Sequence, residues 1–221
     1  MKRIILSMIA LCAMMCATAQ VEEAKNAPKT AGMEQLQLAK QLAIYGYDNG
    51  SATALIEAAR IMSGVQFDGL EAQVTRTDGQ DVESPNGDRK MTAATLIADA
   101  KKLAGDDKQL LALADGVNIT GTGTRGAVGG ERGQNDVVYG RSYNDYVVAF
   151  KKGIIAQIGV SGNGNSDLDL YVYDENGNII VADTDYSDDC YVSWYPRWTG
   201  NYLIRVVNQG TYRNYFTIVT N

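Results

Sequence analysis

The sequence predicts an α+β protein built as two domains: a small all-α domain of helical hairpins followed by an antiparallel β-sandwich of the jelly-roll type. Three observations lead to this prediction. Apolar residues recur at helical spacing within residues 20–116, and from Asp136 to the end of the 221-residue chain they alternate with a period of two. Between these parts, residues 117–135 are rich in glycine and threonine, which is typical of a flexible linker.

The first 19 residues follow the three-part plan of a secretory signal peptide. Lys2 and Arg3 precede an apolar stretch that ends at Cys16, and the small residues Ala17 and Ala19 suit cleavage after Ala19. The apolar stretch is too short to span a bilayer comfortably. Its cysteines leave a lipid anchor open, but bulky residues precede them where lipoprotein signals carry a small one. We therefore expect an exported protein, periplasmic or extracellular.

Two pairs of helices are expected within residues 20–116, which form the helical domain. The first pair is divided at Asn49-Gly50-Ser51, and the second begins near Thr92 and is divided at Gly105. Alanine dominates the apolar stripes, so these helices should approach closely but bury modest area per residue. Residues 63–90, between the pairs, are rich in Gly, Asp, Asn and Thr and are predicted to be a long polar loop.

The C-terminal part, residues 136–221, contains six short stretches in which apolar and polar residues alternate. Turn residues such as Asn176-Gly177 separate them, as expected of an antiparallel sandwich. The inward faces are predicted to be Tyr146/Val148/Phe150, Ala156/Ile158/Val160, Leu168/Leu170/Val172, Cys190/Val192/Trp194, Tyr202/Ile204/Val206 and Phe216/Ile218/Thr220.

Charge and composition exclude several classes of function. Loss of Lys2 and Arg3 with the signal peptide changes the formal net charge from −6 to −8, which argues against nucleic acid and anionic membranes as partners. The chain has no histidine, which excludes Ser-His-Asp and Cys-His catalysis and histidine zinc sites. We expect no catalytic and no cofactor-binding residues. Cys190, the one cysteine after the signal peptide, is expected to be a buried, inert thiol.

Several motifs in the C-terminal part occur together. Residues Asp167–Asp174 read DLDLYVYD, Glu175–Asn178 read ENGN, and Trp198–Tyr202 read WTGNY, followed by RVVN over Arg205–Asn208. In this order they resemble the bacterial pre-peptidase C-terminal domain, over about residues 136–221. The resemblance implies a compact β-sandwich of secreted proteins that is usually an accessory to an enzyme and not itself catalytic. Some relatives bind calcium or extracellular polymers. This chain departs from the usual arrangement because no protease precedes the domain.

An acidic stretch is the strongest functional signal in the sequence. Residues 153–196 contain eight acids and neither lysine nor arginine. Strand alternation places Asp167 and Asp169 on one face, and a hard cation would turn their mutual repulsion into attraction. The alternative is that these acids are turn formers and solvated charges. The predicted metal ligands, for which calcium is the expected ion, are Asp167, Asp169, Asp183, Asp185, Asp188 and Asp189.

Four tyrosines are predicted to form a ligand face on the side of the strands away from the core: Tyr171, Tyr173, Tyr191 and Tyr195. Amphipathic rings of this kind could stack on a sugar or contact a peptide. The alternative is that they are cross-strand pairs that only stabilise the sheet. Trp194 shares a face with Val192 and is expected in the core.

The sequence thus indicates an exported, non-catalytic binding or interaction module with an acidic, tyrosine-rich β-sandwich that calcium would stabilise. One alternative is a structural periplasmic or envelope protein whose helical domain forms the partner surface. Another is a carboxylate-dependent hydrolase, since two acids can support such chemistry. The expected partner is an unknown protein or extracellular polymer. We expect no membrane span, and a monomer or weak oligomer.

Overall fold

The computed structural model describes residues 27–65, 67–119 and 131–221. The predicted signal peptide and most of the predicted linker lie outside these ranges. The α+β prediction is confirmed, with helices in the N-terminal part and two mainly antiparallel sheets. The helices are α1 (Ala31–Asp48), α2 (Ala52–Gly64), α3 (Ala93–Ala104) and α4 (Lys108–Asp115). The strands are β1 (Asp68–Gly69), β2 (Gln73–Arg76), β3 (Arg132–Val138), β4 (Tyr143–Phe150), β5 (Ala156–Ser161), β6 (Leu168–Tyr173), β7 (Ile179–Asp183), β8 (Asp189–Trp194), β9 (Gly200–Asn208) and β10 (Asn214–Thr220).

Each helix begins at a side chain that accepts a hydrogen bond from a backbone N–H of the first turn. These caps are Thr30, Ser51, Thr92 and Asp107. The predicted start of the second helical pair near Thr92, and its division at Gly105, are confirmed. The helices share a core that is fully buried at Leu55 and Leu96 and at several alanines. The small side chains let the helices approach closely, as the alanine-rich stripes predict.

The strands form two sheets of five strands that enclose one core. Sheet A has the order β1-β3-β10-β5-β8 and sheet B the order β2-β4-β9-β6-β7. Both sheets supply the core, which contains the predicted inward faces of β4, β5, β6, β8 and β9. Trp194 is buried there and packs edge-on against Phe150, with ring centroids 4.9 Å apart. Trp198 stacks on Tyr202 at 5.1 Å and closes one edge of this core.

The long polar loop predicted at residues 63–90 is corrected by the structure, because it contains β1 and β2. Strand β1 pairs in parallel with the start of β3, and β2 pairs antiparallel with β4. Both are short edge strands with mostly exposed side chains, so they lack the apolar alternation that marks a strand in a sequence. Strand β3 likewise begins at Arg132, inside the predicted linker. One edge of each sheet therefore comes from the segment between the helix pairs.

Helix α1 packs on the outer face of sheet A. Met33 and Leu36 contact Val219, and a Cβ atom added to Gly159 would lie 3.1 Å from Met33 Cγ. The principal contact between a helix and a strand is that of α1 with β5, in sheet A. Of the helices in the described residues, α1 therefore packs on sheet A, and none makes a comparable contact with sheet B. None of the helices within the described residues is long and apolar enough to cross a membrane.

Candidate functional site

Two of the predicted metal ligands, Asp188 and Asp189, are ion-paired with a lysine of helix α1. The Nζ atom of Lys40 donates to Asp188 Oδ1, and it lies 3.1 Å from Asp189 Oδ1. The side chains of these three residues are 3%, 11% and 19% exposed, so the pair is largely withdrawn from water. Ser161 donates a further hydrogen bond of 2.7 Å to Asp189. The positive charge at these carboxylates is thus supplied by the protein itself.

The second oxygen of Asp188 is held by two other donors. Its Oδ2 atom accepts hydrogen bonds from the backbone N–H of Gly164 and from Asn214 Nδ2, the latter at 3.1 Å. A buried carboxylate is stable only when its charge and lone pairs are satisfied. Asp188 meets this condition through Lys40, Gly164 and Asn214, and it therefore fastens α1 to the loops at one end of the sandwich.

The other predicted ligands have separate partners. Asp169 Oδ2 accepts from Tyr171 Oη at 3.1 Å and from Gln209 Nε2 at 2.6 Å. Asp183 accepts from the backbone N–H of Tyr191 at 2.8 Å, and Asp185 accepts from the hydroxyl of Ser187. Over the ranges that the structure describes, no three Asp, Glu, Cys or His side chains are grouped so that they could hold a metal ion. Calcium binding stays a prediction.

Asp167 differs from its neighbours, because its Oδ1 atom is buried and has no hydrogen-bond partner. Burial, followed by the charges of Asp169, Asp185 and Asp188, raises the pKa of the Asp167 carboxyl above its usual range. The Oδ1 atom of Asn165, two residues earlier, is also buried and unpaired. The loop at residues 162–167 therefore carries two unsatisfied oxygens beside a group of mutually repelling acids.

The prediction that four tyrosines form one ligand face is wrong. Tyr171 and Tyr173 belong to β6 in sheet B, whereas Tyr191 belongs to β8 in sheet A and Tyr195 follows the end of that strand. Tyr191 lies against the segment before α1, where its hydroxyl accepts from Gln157 Nε2 at 2.6 Å. Alternation in a sequence shows which residues point away from a core, but it does not show to which sheet each strand belongs.

The outward side chains of β4, β9, β6 and β7 form a continuous surface on sheet B, which we name the tyrosine face. The strand register sets it out in rows. One row runs Ile179, Tyr173, Leu203, Val147, and the next runs Ala182, Tyr171, Arg205, Asp145. A third row runs Asp169, Val207, Tyr143. Ile179 is 58% exposed at the free edge of the sheet.

Arg205 lies at the centre of the tyrosine face and is held from two sides. Its Nε and Nη2 atoms donate to the two carboxylate oxygens of Asp145, at 2.7 and 2.8 Å. Its guanidinium carbon lies 3.8 Å from the ring centroid of Tyr143 and 5.6 Å from that of Tyr173. The bonds to Asp145 are the main cause of a raised pKa at Arg205. Tyr171 and Tyr173 stack on each other, with centroids 6.1 Å apart.

Four residues of these arrangements were not singled out from the sequence: Lys40, Tyr143, Asp145 and Arg205. Lys40 carries a signal, because it stands four residues after Leu36 and three before Ala43, on the apolar stripe of α1. A lysine on such a stripe needs a buried anionic partner. Arg205 alternates with core residues in β9, but its position opposite Asp145 depends on a strand register that the sequence does not give.

An open groove of about 420 Å³ lies at another end of the sandwich, between β1 and the end of β4. Leu70, Phe150 and Ile154 contribute apolar walls, and Glu71 is the one acid in its lining. Carboxylate-based hydrolysis of glycosides needs two acids across a cleft. This groove does not supply the second.

No protein-family model matches the chain, and no curated protein matches its sequence. Among solved structures, part of the chain is similar to the periplasmic inhibitor of g-type lysozyme from Aeromonas hydrophila, with a TM-score of 0.32 and 15% identity over 41% of this chain and 84% of that one. The Yersinia pseudotuberculosis-derived mitogen matches with a TM-score of 0.36 and 10% identity, over 42% of this chain and 85% of the mitogen. The pre-peptidase C-terminal domain of a Bacillus anthracis collagenase matches with a TM-score of 0.35 and 10% identity, over 41% of this chain and 89% of that domain. The last belongs to the family that residues 136–221 resemble, and at these identities each similarity concerns the fold alone.

Proposed function

We propose that the protein is an exported, non-catalytic binding module that holds a macromolecular ligand on the tyrosine face of sheet B. The observation that carries this proposal is the contrast between the two sheets. Helix α1 covers the outer face of sheet A through Met33, Leu36 and Lys40. The outer face of sheet B instead presents tyrosine, arginine and aliphatic side chains that are partly exposed.

The geometry of this face suits binding because its central groups are already ordered. Arg205 is fixed by both oxygens of Asp145 and by the ring of Tyr143. A side chain that is ordered before binding loses less conformational entropy when a ligand arrives. Tyrosine and arginine also dominate the residues that carry most of the binding energy in interfaces.

A non-catalytic role agrees with the chemistry of the chain. Histidine is absent from the sequence, and Asp188, Asp169 and Asp185 are engaged by Lys40, by an amide and by a hydroxyl respectively. Burial raises the pKa of the Cys190 thiol, which donates to Leu168 O at 3.0 Å, so this cysteine is an unreactive core residue.

Calcium stabilisation is part of the same proposal. The buried, unpaired oxygens of Asn165 and Asp167 support it, since oxygen atoms without a partner are the kind of ligand that calcium takes. Asp188 and Asp189 do not support a calcium site, because Lys40 already neutralises their charge.

A structural envelope protein that uses its helices as the partner surface is the second candidate. The observation that favours it is a set of apolar side chains on the outside of the helical part. Leu38 and Tyr45 lie two turns apart on α1 and are 50% and 58% exposed, and Leu113 on α4 is 48% exposed. Such residues are candidates for a contact with another protein.

Capture experiments with matched variants separate the two candidates. The wild-type protein, a Tyr171→Ser variant and a Tyr45→Ser variant are immobilised and exposed to the proteins and polymers released by the source cells. The proposal expects Tyr171→Ser to lose the ligand that the wild type retains, while Tyr45→Ser keeps it. The reverse pattern would place the partner on the helices and would overturn the proposal.

A further inference from the structure

We infer that the ligand of the tyrosine face is a cationic surface of another protein. This inference rests on the proposed function and adds the class of partner to it. It is carried by two properties of the face: the sign of its charge, and the way its aromatic rings are already occupied.

The charge around the tyrosine face is negative and is not compensated from within. The segments that form the face and its connecting turn, residues 143–150, 168–183 and 201–209, contain Arg205 as their single cation. Asp145 neutralises that cation with both oxygens. The same segments retain three further acids on or beside the face without an ion pair to Arg205, namely Asp169, Asp174 and Glu175.

These acids lie at both ends of the aromatic centre, because Asp169 precedes Tyr171 along the chain and Asp174 follows Tyr173. Asp174 and Glu175 belong to the turn between β6 and β7. Asp183 is not part of this border, because it pairs with the core residue Leu170 and accepts from the backbone N–H of Tyr191 in sheet A. The next turn adds Asp185 and the side chain of Tyr186, which is 98% exposed. An apolar and aromatic centre with an anionic border matches a partner that has an apolar centre and a cationic border. Opposite charges at the border raise the association rate and exclude anionic competitors.

The aromatic rings favour a protein over a polysaccharide. A sugar ring binds an aromatic residue by lying on a free ring face, and an exposed tyrosine would offer one. Here the guanidinium of Arg205 covers one face of Tyr143 at 3.8 Å, and Tyr171 and Tyr173 stack on each other. Each of these rings therefore has one face already occupied, and beside the rings the tyrosine face offers ring edges, hydroxyl groups and the aliphatic side chains of Leu203 and Ile179. These are the groups that pack into the interface between two proteins.

The test uses hen lysozyme as a cationic protein probe, and maps its contacts by the amide shifts of the labelled mature chain at low ionic strength. Succinylated lysozyme, in which the lysines carry carboxylates, and a neutral hexasaccharide of N-acetylglucosamine are the comparison probes. We expect lysozyme to shift resonances of β6, β7 and β9. We expect the other two probes to leave these resonances unchanged.

Matched charge variants then measure the role of the border. Glu175→Gln with Asp185→Asn removes two charges beside the face, and Glu34→Gln with Asp106→Asn removes two exposed charges from the helical part. The first pair should weaken lysozyme binding about fivefold, about 1 kcal/mol in total, since each of the two exposed charge pairs contributes about 0.5 kcal/mol. The second should change it less than twofold. Raising the salt to about 0.15 M, where the screening length is about 8 Å, should weaken the wild-type complex.

The possible results distinguish the class of partner from the location of binding on the tyrosine face. If the hexasaccharide shifts the tyrosine face and lysozyme does not, the partner is a glycan, so the inference is overturned and the proposed function stands. If lysozyme shifts resonances spread over all acidic surfaces, or both charge pairs weaken binding equally, the attraction is non-specific and the inference is overturned. If no probe shifts the face and Tyr171→Ser retains the ligand of the wild type in the capture experiment, both are overturned.

Discussion

Replacing Lys40 with methionine should destabilise the protein by about 3 kcal/mol, at the lower end of the cost of leaving a buried carboxylate without its partner. The lower end applies because Asp189 is 19% exposed and Asp188 keeps its bonds to Gly164 and Asn214. Methionine retains the length of the buried stem, so the loss measured is mainly that of the charge.

Urea unfolding at neutral pH measures this loss, with Lys101→Met as the control. Lys101 and its partner Asp115 are 41% and 66% exposed, so the control should cost less than about 1 kcal/mol. Adding Asp188→Asn to Lys40→Met should restore about 1–2 kcal/mol, because the amide removes the more deeply buried of the two carboxylate charges that Lys40 neutralised. If Lys40→Met unfolded at the same urea concentration as Lys101→Met, the ion pair would not fasten α1 to the sandwich and the reasoning would be refuted.

Three further changes test other parts of the structure. Asp167→Asn should raise the stability of the protein in chelator at pH 7, because the pKa of Asp167 is raised in the folded state and its ionised form therefore destabilises the fold. The gain should vanish below about pH 3.8, where the carboxyl is protonated in both states, and a variant less stable than the wild type at pH 7 would contradict this. If calcium binds, a hundredfold excess of calcium over Kd should stabilise the wild type by about 2.7 kcal/mol, and Asp169→Asn should reduce that increment while the fold persists. Equal unfolding temperatures of the wild type in calcium and in chelator would exclude a site. Gly159→Val should separate α1 from sheet A, because its Cβ would lie 3.1 Å from Met33 Cγ, and the amides of α1 should then exchange faster. Gly69→Val, where an added Cβ meets nothing within 4 Å, is the control for the sandwich; equal exchange of the α1 amides in both variants would contradict the packing of α1 on sheet A.

Much of the fold follows from patterns that act over a few residues. Helical spacing and capping residues predict the four helices of the described residues, and alternation predicts which side chains of β4, β5, β6, β8 and β9 enter the core. These patterns do not predict the edge strands β1 and β2. Strands β1 and β2 are held by backbone bonds to neighbours, which any residue except proline can form, so their sequence carries little signal.

The candidate site was less predictable because it depends on contacts between distant residues. The carboxylates of Asp188 and Asp189 suggested a metal ion, but their cation is Lys40, almost 150 residues earlier. The tyrosines were correctly placed outside the core, yet only Tyr171 and Tyr173 share a sheet. Which strands are neighbours, and which sheet a helix covers, is decided by the packing of the whole chain.

The central claim, that ligand binding takes place on the tyrosine face, is tested most directly by the affinity of an Arg205→Lys variant for the ligand retained by the wild type. Lysine keeps the charge, but it cannot bond both oxygens of Asp145 or stack as a plane on Tyr143. Calorimetry at one ionic strength, with Arg197→Lys as the control, should show binding weakened at least about tenfold, a loss of about 1.4 kcal/mol. Equal affinity of the Arg205→Lys variant and the wild type, with the fold intact, would contradict the account.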